Sequence, residues 1–258
     1  MGGGHGRTGS WRRMATAGAV VLAGAALLAG CGGSSSSSPT TSDGSAGTTT
    51  GGSDASSKLD TLAGSVASAQ KSTFPVVYTS TSGGSTSTIT LAQSPPRQLF
   101  STTDSSGSTT SLVDTGTVTY SCSGGGSSTV TCTSIGGKLA GAALSSLIDV
   151  YNGSAALTVF NGWRSAIAER VAGVSLTFTD ETIGGQPSTC ANWNRSGDTA
   201  TYCVTSTGVL AKVETSGGSS GSGTRFELTS YSDSPPASAF VVPQGATVVT
   251  LPAGASTP

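Results

Sequence analysis

The chain has 258 residues, a length typical of one domain or two small ones. Only 10% of its residues are charged and the formal net charge is −1, so it lacks the basic surface of a nucleic-acid-binding protein. The single histidine, His5, lies in a segment that we expect to be removed. The mature protein would then contain no histidine, which excludes histidine-dependent catalysis and histidine-ligated metal sites. We expect no enzyme activity, no cofactor and no metal.

The first 30 residues have the pattern of an export signal. Arg7, Arg12 and Arg13 precede the uncharged apolar run 14–29, which is too short for a comfortable membrane span of about 20 residues. The run ends in Leu28-Ala29-Gly30-Cys31, which resembles a bacterial lipobox. We therefore predict a lipoprotein signal peptide over 1–30, lipidation of Cys31, and attachment to the extracytoplasmic face of the cell membrane. The alternatives are a plain secretion signal with a chance cysteine and, from the arginine pair, twin-arginine export.

Two further segments have compositions typical of disorder. Residues 31–57 are almost entirely Gly, Ser, Thr, Asp and Ala, and such a segment cannot bury enough apolar surface to offset its chain entropy. We predict a flexible tether over 31–57 and a disordered tail over 252–258. The folded domain is then expected over 58–251.

Three segments within this domain are predicted as helices. In Lys138–Tyr151 and in Gly162–Gly173, apolar residues recur every three or four positions, which is the helical period. A weaker pattern of the same kind predicts a helix over Lys58–Gln70.

The remainder is rich in Thr and Val and is predicted as strands separated by turn signals such as Gly83-Gly84, Gly184-Gly185 and Thr207-Gly208. Short turns between consecutive strands indicate an antiparallel meander, and helices grouped mid-chain indicate an α+β fold with helices on one face of the sheet. The predicted strands are Thr88–Gln93, Gln98–Thr102, Thr117–Cys122, Thr129–Cys132, Leu176–Thr179, Thr199–Thr205, Val209–Glu214 and Arg225–Tyr231.

Four cysteines remain after Cys31, and disulfides are the usual state of an even set in an exported protein. Three pairings exist. We favour Cys122–Cys132 and Cys190–Cys203 because each joins neighbouring segments. A redox or metal site is the alternative, but the chain contains no Cys-x-x-Cys motif.

The order of several short motifs resembles the LolA/LolB-like family, and the likeness extends over nearly all of 58–251. A strand ending in Pro95-Pro96 is followed by Arg97 and an aromatic residue, and then by a Gly–Tyr strand over 116–120. Residues 208–213 resemble the family's Gly-Leu-Leu strand. Residues 240–246 resemble its closing Phe-x-x-Pro-x-Gly-Ala turn. The expected nearest relatives are envelope lipoproteins of the LppX/LprG type.

This resemblance implies a strongly curved antiparallel sheet, a half β-barrel, whose concave face is covered by helices. It also implies an apolar space that holds acyl chains, each buried methylene contributing about 0.8 kcal/mol. Arg97 would then steady a helical lid, or it is a solvated turn residue. The predicted lining residues, for which an ordinary hydrophobic core is the alternative, are Ile89, Leu91, Phe100, Leu112, Leu144, Leu147, Ile148, Trp163, Ile167 and Phe178.

Two functions follow as hypotheses. The first is a membrane-anchored protein that binds or carries a lipid or acyl ligand. The second is an interaction or sensory module with the same fold and a filled interior, which would bind an envelope protein partner. A serine hydrolase is disfavoured because no Gly-x-Ser-x-Gly motif occurs.

Overall fold

The computed structural model describes residues 52–135, 144, 153–217 and 223–250. These lie in the second of the two units into which the chain divides, 1–44 and 45–258. The helices are α1 (Gly52–Ala69), α2 (Ser154–Ala168) and a short 3-10 helix (Ala237–Phe240). The strands are β1 (Phe74–Ser82), β2 (Ser85–Ser94), β3 (Arg97–Asp104), β4 (Ser108–Asp114), β5 (Thr119–Gly125), β6 (Ser128–Ile135), β7 (Val174–Ile183), β8 (Gln186–Arg195), β9 (Asp198–Thr205), β10 (Leu210–Ser216), β11 (Thr224–Tyr231) and β12 (Thr247–Thr250).

All twelve strands belong to one sheet, in the order β12-β6-β5-β4-β3-β2-β1-β11-β10-β9-β8-β7. Two antiparallel meanders, β1–β6 and β7–β11, are joined where β1 pairs with β11. The right-handed twist between neighbouring strands accumulates over so many strands and curves the sheet. The architecture is therefore α+β, a curved, mainly antiparallel half-barrel with helices on its concave face, as predicted.

The turns that the sequence indicated are confirmed where they join neighbouring strands. Gly83-Gly84 and Gly184-Gly185 each form a two-residue hairpin loop in which both glycines have positive φ, the backbone geometry that matches the twist of paired strands. Strands β1, β4, β8 and β12 were not among the predicted ones. The pairing of β12 with β6 is parallel, so the sheet is mainly rather than entirely antiparallel.

Helix α1 begins six residues earlier than predicted, so residues 52–57 of the predicted tether are helical. Its buried residues Ala55, Leu59, Leu62, Val66 and Ala69 follow spacings of four and three, which place them on one face. The helix begins before its predicted start because Ala55 continues the buried face. Alanine is too small to stand out in the hydrophobic pattern of the sequence.

Helix α2 was predicted over Gly162–Gly173, but it begins at Ser154 and ends at Ala168. It starts earlier because Ala156 and Phe160 extend the buried face that Trp163 continues. It ends earlier because the chain already adopts a positive φ at Arg170, before Gly173. The predicted helix Lys138–Tyr151 lies outside the described residues except for Leu144, which is helical and fully buried. Among the residues that the structure describes, no helix is both long enough and apolar enough to cross a bilayer.

Helix α1 is held against the sheet by two contacts that the hydrophobic pattern does not reveal. The buried side chain of Gln93 directs its Nε2 donor group to the backbone oxygens of Ala69 and Gln70 at the end of the helix and of Ser72 just beyond it. At the β9–β10 turn, a β-carbon on Gly208 would lie 2.0 Å from the Ser65 backbone oxygen. Only glycine allows this close approach.

Candidate functional site

The concave face of the first meander carries a continuous row of apolar side chains. Leu91 on β2 lies directly opposite Phe100 on β3, and Phe100 lies opposite Leu112 on β4. Leu91 is 1% exposed, whereas Phe100 and Leu112 are half-buried and pack against the core. The row therefore becomes more accessible from β2 towards β4. Three of the predicted lining residues are brought together here.

Polar side chains continue this row beyond Leu112. Ser121 on β5 lies opposite Leu112, and Thr133 on β6 lies opposite Ser121. Both are half-buried. The row thus combines an apolar stretch with hydroxyl groups at its more open end, which is the chemistry that an acyl chain with a polar head group needs.

The buried end of the site lies on β1 and β2, which contain no charged residue. Val76 is opposite Leu91, and Tyr78 is opposite Ile89, a fourth predicted lining residue. The Tyr78 ring is stacked on Phe226 with centroids 4.1 Å apart. Its hydroxyl is fully buried and has no hydrogen-bond partner. Burial raises the pKa of Tyr78 far above its usual value, so the phenol stays protonated.

The second meander packs against α2 through a dense aromatic cluster formed by Phe160, Trp163, Trp193 and Tyr202. Trp163 is stacked on Trp193 with centroids 5.3 Å apart, and it meets Tyr202 edge to face at 5.5 Å. Phe160 contacts both Trp163 and Tyr202 at 5.9 Å. Trp163 is 7% exposed and contacts three aromatic rings, so it is a core residue that attaches α2 to the sheet.

The remaining predicted lining residues divide between this region and the undescribed part of the chain. Ile167 and Phe178 are partly buried against the core, and the Lys58 ammonium lies 5.2 Å from the Phe178 ring centroid. Leu144 is a core residue, whereas Leu147 and Ile148 lie outside the described residues. The predicted set therefore forms two groups, separated in the sheet by β1, β11 and β10, and the first group is the candidate site.

Arg97 is the first residue of β3 and contacts the C-terminal segment. Its guanidinium lies 4.9 Å from the Phe240 ring centroid, and Phe240 is 3% exposed. A β-carbon on Gly116 would lie 3.4 Å from Pro96 and 3.5 Å from Arg97. Three motifs of the family resemblance thus meet at one corner of the sheet. Arg97 is an exposed residue at the start of β3, and its guanidinium packs on Phe240.

Both predicted disulfides are confirmed. Cys122 lies directly opposite Cys132 in the β5–β6 pair, and Cys190 lies opposite Cys203 in the β8–β9 pair. Ala191 faces inward, since it lies opposite Tyr202, which contacts α2. Side chains alternate between the two faces of a strand, so Cys190 and its disulfide lie on the outer face. By the same alternation, Cys122 lies on the outer face because its neighbour Ser121 faces inward. Neither disulfide faces the candidate site. Cys31 lies outside the described residues.

Sequence reasoning did not identify Tyr78, Gln93 or the ion pair between Lys212 and Glu181. The alternation Phe74, Val76, Tyr78 is a strand signal that would have located Tyr78. Nothing in the sequence indicates that its hydroxyl lacks a partner, because this depends on the side chains packed around it.

No family model matches this chain, and no curated protein matches it. Among solved structures, it is similar to the MucA/MucB complex of Pseudomonas aeruginosa, with 17% identity, a TM-score of 0.43, and coverage of 77% of this chain and 64% of that one. For another crystal structure of MucB these values are 15%, 0.41, 76% and 66%. An uncharacterized conserved protein from Thermus thermophilus is 7% identical with a TM-score of 0.39, over 75% of this chain and 99% of that one.

The chain spans only 62–66% of the length of the MucB chains that it matches. Likeness at these identities and TM-scores says nothing about a ligand or partner. The function is therefore inferred from this chain's own residues, and the expected relation to LppX/LprG lipoproteins stays a prediction.

Proposed function

We propose that this protein is an exported, membrane-anchored lipoprotein that binds an acyl chain on the concave face of β1–β4. The observation that carries this function is the row Leu91–Phe100–Leu112, which runs from a fully buried position to half-buried ones. An acyl chain lying along the row would gain about 0.8 kcal/mol per buried methylene. The hydroxyls of Ser121 and Thr133 would face its head group. The role requires no catalytic group and no cofactor.

Substitution on either face of the sheet tests this function. Leu112→Trp fills the row from the concave side, whereas Leu99→Trp makes the same change at a half-buried position that points to the outer face, next to Phe100. We expect native mass spectrometry of the purified full-length chain to detect a bound lipid in the unmodified protein and in Leu99→Trp, and not in Leu112→Trp. Absence of lipid from the unmodified protein, or equal occupancy in both variants, would contradict the proposal.

Membrane attachment is tested separately through Cys31. We expect Cys31→Ser to move the protein from the membrane fraction to the soluble exported fraction, because the acyl chains supply the anchor. An unchanged membrane fraction would show that another segment holds the protein at the membrane.

One observation favours the interaction module as a second candidate function. Strand β12 forms one edge of the sheet, and its Val248 and Val249 are 49% and 42% exposed. An exposed edge strand can pair with a strand of another chain. If β12 pairs with a strand of another protein chain, Val248→Lys should abolish that protein–protein complex in light-scattering measurements. The lipid occupancy should stay unchanged.

A further inference from the structure

The two edges of the sheet differ in how they are protected against pairing with another strand. Strand β7 carries Asp180 and Glu181, which project to opposite faces, and charged side chains on an edge discourage such pairing. Strand β12 has the sequence Thr-Val-Val-Thr, with no charge, no proline and a regular register on β6. Within the described part of the chain, β6 is the one strand that pairs with β12, which leaves the backbone groups of its outer edge open.

The valines of β12 are exposed on both faces of the sheet. Val248 lies opposite Cys132 and faces outward with it. Val249 lies opposite Thr133 and faces the concave side. The two valines are 49% and 42% exposed, and together with Val241 they are the exposed large apolar side chains of the described residues. An open backbone edge and exposed apolar side chains therefore coincide in one four-residue strand.

The strands behind this edge are held in place before any partner arrives. The disulfide between Cys122 and Cys132 joins β5 to β6, and β12 lies on the other side of β6. A surface that is already ordered loses less conformational freedom on association. The edge is thus pre-organised to accept one more strand.

Charge indicates which strand that is. Strands β5, β6 and β12 contain no charged residue, so two copies of this edge can meet without bringing like charges together. Self-pairing through β7 would instead place Asp180 and Glu181 near their own counterparts. A charged partner strand would find no opposite charge on β5, β6 or β12 to select it. The edge is therefore compatible with its own copy.

A two-fold axis normal to the sheet gives the geometry of this pairing. Such an axis relates two antiparallel β12 strands and keeps the two concave faces on the same side of the joined sheet. Either Val248 or Val249 then lies directly opposite its own copy. Cross-strand pairs of β-branched residues stabilise antiparallel sheets, so the exposed valines gain neighbours on both faces.

We propose that β12 is a self-association edge, through which two copies of this chain pair antiparallel and form one continuous sheet. The inference rests on the second candidate function, for which it names the partner, and is independent of acyl binding. A four-residue strand buries less than the roughly 1,200 Å² of a stable interface, so the dimer is weak in solution. Attachment of both copies to one membrane through Cys31 would raise their effective concentration.

Sedimentation equilibrium over a concentration series tests the proposal on the full-length chain carrying Cys31→Ser. We expect the average mass to rise with concentration towards that of a dimer and not beyond it, because the two-fold pairing is closed. The double change Val248→Lys and Val249→Lys should abolish the dimer, since it places lysines on the edge. Val241→Lys is the matched control, because it replaces a comparably exposed valine outside β12 and should leave the association unchanged.

Chemical cross-linking locates the contact. With a short bismaleimide, we expect Val249→Cys in the same Cys31→Ser background to form covalent dimers, because position 249 lies opposite its own copy or within two residues of it. Val241→Cys should form far fewer. A parent protein that stays monomeric at every concentration, a dimer that survives the two lysines, or equal cross-linking of both cysteine variants would overturn the proposal. If the parent is monomeric but another protein forms a complex that Val248→Lys abolishes, self-pairing is wrong and the interaction module itself stands.

Discussion

The ammonium group of Lys212 lies 2.7 Å from the carboxylate of Glu181, and the two side chains meet over the Cys190–Cys203 disulfide. Lys212 on β10 is opposite Cys203, Cys203 is opposite Cys190, and Cys190 is opposite Thr179 on β7. Glu181 follows two residues after Thr179 on the same face. Lys212 therefore reaches the disulfide from β10 and Glu181 reaches it from β7, on either side of the β8–β9 pair that the disulfide joins. Both cysteines are 0% exposed, and the lysine stem contributes to this burial.

This arrangement predicts that Lys212 protects the disulfide from reductants. We expect Lys212→Ala to speed reduction of Cys190–Cys203 severalfold, and Lys212→Met, which keeps a long apolar stem, to have a smaller effect. Timed alkylation followed by mass spectrometry measures the rate. The Cys122–Cys132 disulfide is an internal control, since its rate should not change. Equal rates in Lys212→Ala and the unmodified chain would contradict the prediction.

Each disulfide should stabilise the folded state by constraining the unfolded chain. The bridged residues are 10 and 13 positions apart, and loops of this length correspond to about 3 kcal/mol in the chain-entropy model. We expect the double change Cys122→Ala and Cys132→Ala to lower the free energy of unfolding by about this amount in urea titrations. A melting temperature that does not respond to reductant would argue against a stabilising role.

Trp163 is expected to be the main attachment of α2 to the second meander. Because it contacts Phe160, Trp193 and Tyr202, Trp163→Ala should lower the free energy of unfolding by about 3–5 kcal/mol. Trp163→Phe, which keeps an aromatic ring, should cost less. Urea unfolding followed by circular dichroism measures both, and similar values for the two variants would contradict the assigned packing.

Asp104 organises the β3–β4 turn and should carry a pH dependence. The hydroxyl of Ser106 donates to its Oδ1 at 2.6 Å, and the backbone N–H groups of Ser106 and Ser108 donate at 2.9 and 3.0 Å. These bonds, the Ser106 hydroxyl first, lower the pKa of Asp104. The contribution to stability is therefore present above the unfolded-state pKa of about 3.9 and is lost as the pH falls through the folded-state pKa.

Proton titration by NMR checks this expectation directly. Ser106→Ala removes the largest cause and should return the pKa of Asp104 towards its ordinary value. An Asp104 pKa that is the same in Ser106→Ala as in the unmodified chain would show that the turn does not depend on that hydroxyl.

Arg97 should hold the C-terminal segment through Phe240. A cation over an aromatic ring at an exposed site contributes about 0.5–1 kcal/mol, so Arg97→Gln should increase amide hydrogen exchange in Ala237–Phe240. Arg97→Lys keeps a cation and should have a smaller effect. Equal exchange in both variants and the unmodified chain would mean that the apolar burial of Phe240 alone holds the segment.

Sequence patterns were sufficient wherever the determining interaction is local. The glycine pairs at 83–84 and 184–185 require positive φ, and alternating Thr and Val indicate strands, so the hairpins and most strands of the two meanders could be predicted. The disulfide pairing followed in the same way, since each pair joins neighbouring strands. Helix ends were less predictable, because Ala55 and Ala156 are buried only through packing that involves the whole domain.

The sequence by itself determined the export signal pattern, the alternating strands, the turns and the cysteine pairs, because each depends on composition or on short-range geometry. Only the tertiary structure decided that Leu91, Phe100 and Leu112 form one row on the first meander while Trp163 packs in an aromatic cluster on the second, since strand register and helix docking bring together residues far apart in the chain. The same long-range packing leaves the Tyr78 hydroxyl buried without a partner. The alternation of side chains along β1 places Tyr78 on the inner face of the sheet. What surrounds its hydroxyl depends on strands from both meanders.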